Sequence, residues 1–335
     1  MKIPLFEKRK VLFLDQENLA ARQVHWYWES YFDDSYTMSN GGIINKPGNY
    51  YISFNKFKNS NERSIYLSQI GSYTEVLVED SSFYNIASSG LGGSLFVSTK
   101  GSFIQSRLCS KYCKCTEEGH FSYFATEKNT NHTNFQVDCS QVENGKYGVA
   151  FSSTRLYYGN IILSGTNISS CFARQTSSMI IRYANSTAQN YFCTYHNCSN
   201  NDGYCICYSG SDARVWQCNI IGNKAPFNIF AQQYYGLVSA FDCIFIDNIS
   251  PVLIATDTPD SVVLYRCFFE NNSGTISAAT ESMTTDSFSL RLMHLSTAFC
   301  NAKYKIDSPM IVCQSIACKY YLPMGDLSIY VFILV

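Results

Sequence analysis

Short apolar runs recur along most of this chain and are separated by polar turns. Residues 237–243 and 262–267 are two such runs, and Asn, Asp or Ser residues follow each within a few positions. Short runs that are rich in β-branched and aromatic residues and bounded by turn residues are typical of β-strands. The pattern therefore predicts an all-β protein.

The runs repeat with a nearly constant period. Cysteines end four successive runs at positions 193, 218, 243 and 267, which are 25, 25 and 24 residues apart. Extending this frame gives one anchor per repeat, and the anchors are Phe54, Asp80, Leu108, Cys139, Thr166, Cys193, Cys218, Cys243, Cys267 and Leu295. A period of about 20–50 residues is the signature of a solenoid.

The fifth residue after each anchor is Asn or Cys throughout. These positions are Asn59, Asn85, Cys113, Asn144, Cys171, Cys198, Asn223, Asn248, Asn272 and Cys300. In parallel strands stacked about 4.8 Å apart, equivalent side-chain amides can hydrogen-bond along the axis. Asn also tolerates the left-handed backbone of a sharp corner, and Cys fills the same inward position as a small, weakly polar side chain. We therefore predict a right-handed parallel β-helix solenoid of about ten coils, with these residues as a structural ladder.

The repeat divides the chain into three parts. Residues 1–50 precede it and are expected to form a short N-terminal cap on the first coil, partly helical over residues 2–22. Residues 51–322 form the β-helix. Residues 323–335 end in a mostly apolar stretch, about half of what crosses a bilayer, and are either a C-terminal strand or a truncated membrane segment. A membrane is expected as a partner only in the second case.

Two short motifs resemble known β-helix families. Residues 83–85 read Phe-Tyr-Asn, and residues 92–96 read Gly-Gly-Ser-Leu-Phe. Together with the repeat, they resemble the pectate-lyase-like superfamily of right-handed β-helices, polymorphic outer-membrane-type repeats and the large trichomonad β-helix surface-protein families. The resemblance implies inward Asn ladders and a place at the cell surface. It selects no activity, because such folds host lyases, hydrolases, adhesins and spike proteins.

The net charge and the N-terminal sequence limit the classes of partner that we expect. The chain has 25 Lys and Arg against 26 Asp and Glu, so no basic surface is available to neutralise a nucleic-acid backbone. No secretion signal is visible, because Glu7 and the basic residues 8–10 interrupt the first apolar stretch. The expected partners are glycans or cell-surface proteins, and no nucleic acid.

Catalytic chemistry is not evident in the repeat. Polysaccharide hydrolysis needs two carboxylates roughly 5–9.5 Å apart, whereas the exposed positions of adjacent repeats carry no neighbouring acids. The Cys-x-Cys pairs at 113/115 and 205/207 are interpreted as core filling, so neither a metal nor a cofactor is expected. We therefore expect a non-catalytic scaffold, either a surface protein or an adhesin-like interaction protein.

The alternative is a divergent carbohydrate-active lyase or hydrolase. Its acids would come from the longest repeat, where a loop could bring together Glu117, Glu118, Glu127 and Asp138. The aromatic pairs at 157–158 and 234–235 could stack on sugar rings, although turn or packing roles are the preferred interpretation.

Overall fold

The chain folds as a parallel β-solenoid of about nine coils. The computed structural model describes residues 31–32, 34–70, 73–128, 130–146, 148–257, 261–276, 280–284, 312–314, 317–324 and 327–334. Every regular secondary-structure element in these residues is a β-strand, and the strands pair in parallel throughout residues 37–284. The all-β solenoid prediction is confirmed. The predicted tenth anchor Leu295 and the ladder residue Cys300 lie outside the described residues.

Each coil passes through three faces, which we number in chain order. The first face contains Thr37–Met38, Tyr50–Ser53, Val76–Glu79, Phe103–Ser106, Thr133–Val137, Asn160–Ser164, Ala188–Tyr191, Ala213–Trp216, Val238–Phe241, the first half of Val262–Glu270, and Thr280–Thr284. The second face contains Lys56–Ser60, Ser82–Ser88, Cys109–Lys111, Ser140–Val142, Asn167–Ser169, Thr194–His196, Asn219–Ile221, Ile244–Ile246 and the second half of Val262–Glu270.

The third face closes each coil. It contains Gly42–Ile44, Ile65–Ile70, Leu95–Thr99, Ser122–Ala125, Ser152–Tyr157, Thr176–Arg182, Tyr204–Ser209, Asn228–Gln233, Val252–Thr256 and Thr275–Ile276. Two short pairings lie between the second and third faces, where Lys114–Cys115 pairs with the end of Ser82–Ser88 and Phe172–Ala173 pairs with Ser199–Asn200.

Left-handed residues make the corners on either side of the second face. The first corner has φ between 44° and 62° at Phe54, Asp80, Arg107, Asp138, Gly165, Phe192, Gln217, Asp242 and Arg266. The second corner has φ between 51° and 63° at Asn59, Asn85, Tyr112, Glu143, Ser170, Asn197, Gly222, Asp247 and Asn271. This conformation is costly for residues other than Gly and Asn, and the stacked strands on either side hold it in every coil.

The interior is filled by side chains that alternate with outward ones along each strand. Phe83, Tyr195 and Phe245 are fully buried members of one inward column, and Phe245 stacks on Phe269 at 4.8 Å between ring centroids. Burial of one such side chain stabilises the fold by about 1.5–3 kcal/mol. The core therefore runs continuously along the solenoid axis.

Parallel pairing begins within the predicted N-terminal segment. Thr37–Met38 pairs with the strand that starts at Tyr50, and Gly42–Ile44 pairs with the strand that starts at Ile65. Tyr31 and Phe32 pack on the outward side of the first face, in a cluster with Tyr51, Leu77, Ile104, Phe135 and Val137. The described end of this segment thus covers a lateral face. The predicted helix over residues 2–22 lies outside the described residues.

A separate antiparallel sheet follows the coils. It contains Val312–Gln314, Ala317–Met324 and Leu327–Leu334, and the last of these falls within the apolar C-terminal stretch. In the described part of the chain, no helix is both long and apolar enough to cross a membrane.

Candidate functional site

The predicted ladder residues from Cys113 to Asn272 lie inside the second corner. Each is buried or packed against the interior, and each follows the left-handed corner residue of its coil. Asn248 is typical. Its Nδ2 donates to the carbonyl of Ile220 at 2.8 Å and to Oδ1 of Asn272 at 2.8 Å, while its own Oδ1 accepts from the backbone N–H of Asn223 at 3.0 Å.

Asn and Cys perform the same donor role in this column. Asn223 and Asn272 donate to the carbonyls of Tyr195 and Phe245 at 2.9 and 2.7 Å. The thiols of Cys113, Cys171 and Cys198 point to equivalent carbonyls of the preceding coil, with S···O distances of 3.4–3.7 Å. Asn144 donates to the Ser110 hydroxyl at 2.8 Å. Both Asn and Cys occur in this column because each side chain supplies a hydrogen-bond donor to the preceding coil.

The first two ladder residues stand one position away from this column. Asn59 and Asn85 are the left-handed corner residues of their coils, and Asn85 Nδ2 donates to Asn59 Oδ1 at 2.9 Å on the exposed side. Pairing of Tyr84 with Lys111 aligns Ile86, which is fully buried, with Cys113. The anchors Phe54 and Asp80 are displaced by one residue in the same way. Asn is favoured at both positions, so the residue type alone does not distinguish them.

Buried thiols continue along the first corner. Cys193, Cys218, Cys243 and Cys267 stack there, and the last three donate to carbonyls of the preceding coil at 3.5–3.7 Å. Burial raises the pKa of Cys218 and Cys243 well above the usual thiol value. Eleven cysteines of the coils are free and buried, whereas Cys109 is disulfide-bonded. No three potential ligands cluster for a metal in the described residues.

The acids of the longest repeat point to different parts of the surface. Glu118 pairs with Arg155 on the outward side of the third face, at 2.5 Å between Oε1 and Nη1. Glu127 pairs with Lys100 at 3.5 Å near the corner between the third and first faces. Asp138 belongs to the corner between the first and second faces, and the Glu117 side chain is exposed. The described structure does not bring these four carboxylates into one groove.

A buried charge cluster occupies the first corner near the N-terminal end. Arg107 bonds Glu79 Oε1 at 2.5 Å and Asp80 Oδ2 at 2.7 Å, and the Tyr51 hydroxyl donates to Glu79 at 2.6 Å. Burial raises the pKa of Glu79 to about 7, although the charge of Arg107 acts to lower it. The Glu79 and Arg107 side chains are 1% and 10% exposed, so this cluster is a structural ion pair.

An aromatic ladder lies on the outward side of the first face toward the C-terminal end. Its members are Tyr191, Trp216, Phe241 and Tyr265, which pair in register and have ring centroids 5.6–6.3 Å apart. Trp216 and Tyr265 are 37% and 48% exposed. Sequence reasoning missed this ladder, although its signal is present as an aromatic residue two positions before four successive anchor cysteines.

A tyrosine groove of about 720 Å³ lies at the corner between the third and first faces. Its lining includes Lys128, Asn131, Tyr158, Tyr183, Asn185, Gly210 and Tyr235. Tyr158 and Tyr183 stack with 6.1 Å between centroids and an interplanar angle of 19°. The aromatic pairs noted in the sequence thus contribute one member each to this groove.

These features define a parallel β-solenoid with a hydrogen-bonded second corner and two partly exposed aromatic surfaces. In comparisons with known proteins, no family model, no curated protein and no solved structure matches this chain.

Proposed function

We propose that this protein is a non-catalytic interaction scaffold, a surface or adhesin-like protein that binds a partner protein through the aromatic ladder. The observation that carries the proposal is the in-register row of Tyr191, Trp216, Phe241 and Tyr265, in which Trp216 and Tyr265 are exposed and the other two are half-buried. Tyr, Trp and Arg dominate binding energy at protein interfaces, and Arg266 lies directly beside Tyr265.

The ladder is held in place before any partner arrives. Trp216 Nε1 donates to Asp242 Oδ2 at 3.3 Å, and Arg266 bonds the same carboxylate at 2.8 Å. Side chains that are already ordered lose less entropy on binding, so a surface of this kind supports affinity. As part of the same proposal, this chain is a member of the pectate-lyase-like superfamily or of the trichomonad surface-protein families, and it is located at the cell surface.

The test uses an array of cell-surface ectodomains and compares three variants with the parent chain. We expect Trp216→Ala and Tyr265→Ala to weaken binding at least tenfold, because loss of a hot-spot side chain costs about 2 kcal/mol or more. Phe227→Ala is the matched control, since Phe227 is 50% exposed and lies outside the ladder. Binding that is indifferent to both ladder variants would overturn the proposal.

A second assay addresses catalysis. The chain is incubated with pectin, polygalacturonate and other acidic glycans, with and without calcium, and the expected result is no cleavage or elimination. Turnover by the parent chain that disappears in a Glu117→Gln or Glu118→Gln variant would contradict the scaffold hypothesis and support the carbohydrate-active enzyme.

A further inference from the structure

The tyrosine groove has the chemistry of a saccharide site, and it lies at a different corner of the coil from the aromatic ladder. We propose that it binds an oligosaccharide carrying a carboxylate group. The site goes beyond the proposed function, because a partner protein on the first face does not need it.

The first argument is the arrangement of the rings. Tyr158 and Tyr183 are stacked on each other, and Tyr235 is 63% exposed beside them. Flat aromatic faces pack against the C–H faces of a pyranose ring, and small-molecule sites combine such apolar walls with a few polar groups.

The second argument is the glycine in the lining of the groove. Tyr158, Tyr183, Gly210 and Tyr234 occupy the same corner position in successive coils, with φ of 57°, 52°, 63° and 66°. Because tyrosines adopt this backbone conformation on both sides, the backbone alone does not require glycine. A Cβ at Gly210 would stand 2.6 Å from the Tyr183 ring and 3.3 Å from that of Tyr235. Glycine therefore makes room for the two rings of the groove.

The third argument is the polar character of the lining. Among the described residues, the phenol oxygens of Tyr183 and Tyr235 form no hydrogen bond, so they remain available to sugar hydroxyls. Lys128 is the charged residue of the lining, and no lining residue is acidic. A carboxylate-bearing sugar complements this charge better than a neutral one.

The experiment titrates the full chain with 3′-sialyllactose and with lactose, by calorimetry or saturation-transfer NMR. We expect saturable binding, with the sialylated sugar preferred. Tyr183→Ala and Gly210→Ala should each weaken binding at least tenfold, the latter because the added methyl group displaces both rings. Lys128→Gln should reduce the preference for the sialylated sugar by up to about fivefold, as expected for an exposed ion pair.

Tyr265→Ala serves as the matched control, because it removes an exposed tyrosine of the aromatic ladder and should leave saccharide binding unchanged. Tyr235→Ala carries the test if Gly210→Ala does not fold, since its side chain is exposed. The proposal that the groove binds a saccharide is overturned if no saturable binding is found, or if both Tyr183→Ala and Tyr235→Ala still bind. Neither result bears on the proposal that the aromatic ladder binds a protein. Equal binding of the two sugars overturns the carboxylate preference, and loss in Tyr265→Ala alone moves the sugar to the ladder.

Discussion

At the scale of single residues, the second corner shows how a solenoid satisfies its buried polar groups. An Asn in this column can donate to the coil below and accept from its backbone, as Asn248 does. A Cys at the same place retains the donor and gives up the strong acceptor.

We expect Asn248→Leu to lower the free energy of unfolding by about 1–3 kcal/mol, because buried groups lose their hydrogen-bond partners. The substitution leaves the carbonyl of Ile220 and the N–H of Asn223 without the Asn248 side chain as a partner. Urea unfolding measures the change. Asn201→Leu is the control at an exposed position, and equal midpoints for the two variants would contradict the ladder.

The buried thiols should be chemically inert in the native chain. Burial raises the pKa of Cys113 to about 11 and that of Cys205 and Cys207 to about 12, so very little thiolate exists at pH 8. Alkylation at pH 8 followed by peptide mapping should leave these cysteines unmodified until urea is added. Labelling of Cys205 in the folded chain would contradict this burial.

At the scale of the element, the first corner places charged residues in very different surroundings. Arg107 and Arg266 occupy equivalent positions and each bonds an aspartate, but their side chains are 10% and 59% exposed. Removing one partner of a buried pair leaves an uncompensated charge, whereas a solvated pair is screened by water.

We expect Arg107→Met to destabilise the fold by about 3–5 kcal/mol and Arg266→Met to have a much smaller effect. The loss in Arg107→Met should also depend on pH. In the folded chain, burial raises the pKa of Glu79 to about 7. Protonation of Glu79 therefore stabilises the fold in acid, and this stabilisation is lost as the pH rises through 7. Without Arg107, the deficit should be larger at pH 8 than at pH 5, as measured by urea unfolding. A pH-independent deficit would show that Glu79 is not the group left unpaired.

At the scale of the whole molecule, each coil pairs mainly with the coils directly above and below it. Stability in such a stack is approximately a sum over coils and their interfaces. The pairing of Thr194 with Asn219 shows that residues 194–218 form one complete coil in the repeating frame.

Deleting residues 194–218 should therefore preserve a cooperative β-rich fold, because Cys193 is then followed by the equivalent strand that starts at Asn219. Deleting only residues 194–205 removes about half a coil and should abolish the fold, since the remaining strands lose their register. Circular dichroism and urea unfolding distinguish the two outcomes. Equal loss of structure in both deletions would contradict the coil-by-coil account.

The period of the chain was sufficient to predict the all-β solenoid. Cysteines at near-constant steps and Asn or Cys five residues later indicated where each coil turns, because neighbouring coils must match residue by residue. The ladder from Cys113 to Asn272 follows this frame. Division of the chain at residues 50 and 322 stays a prediction, although parallel strands already occur at Thr37 and Gly42.

Only the tertiary structure decided the register of the first two coils and the exposure of the lateral faces. Asn59 and Asn85 suit both the corner and the ladder, so strand pairing, rather than residue type, selects between the two positions. The same one-residue displacement aligned Asp80 with Leu108 in the sequence frame, whereas in the structure Asp80 lies at the corner position equivalent to Arg107 and pairs with it. Outward aromatic residues are buried where the N-terminal segment covers them and exposed at Trp216, because local periodicity specifies the face but a distant segment determines access to water.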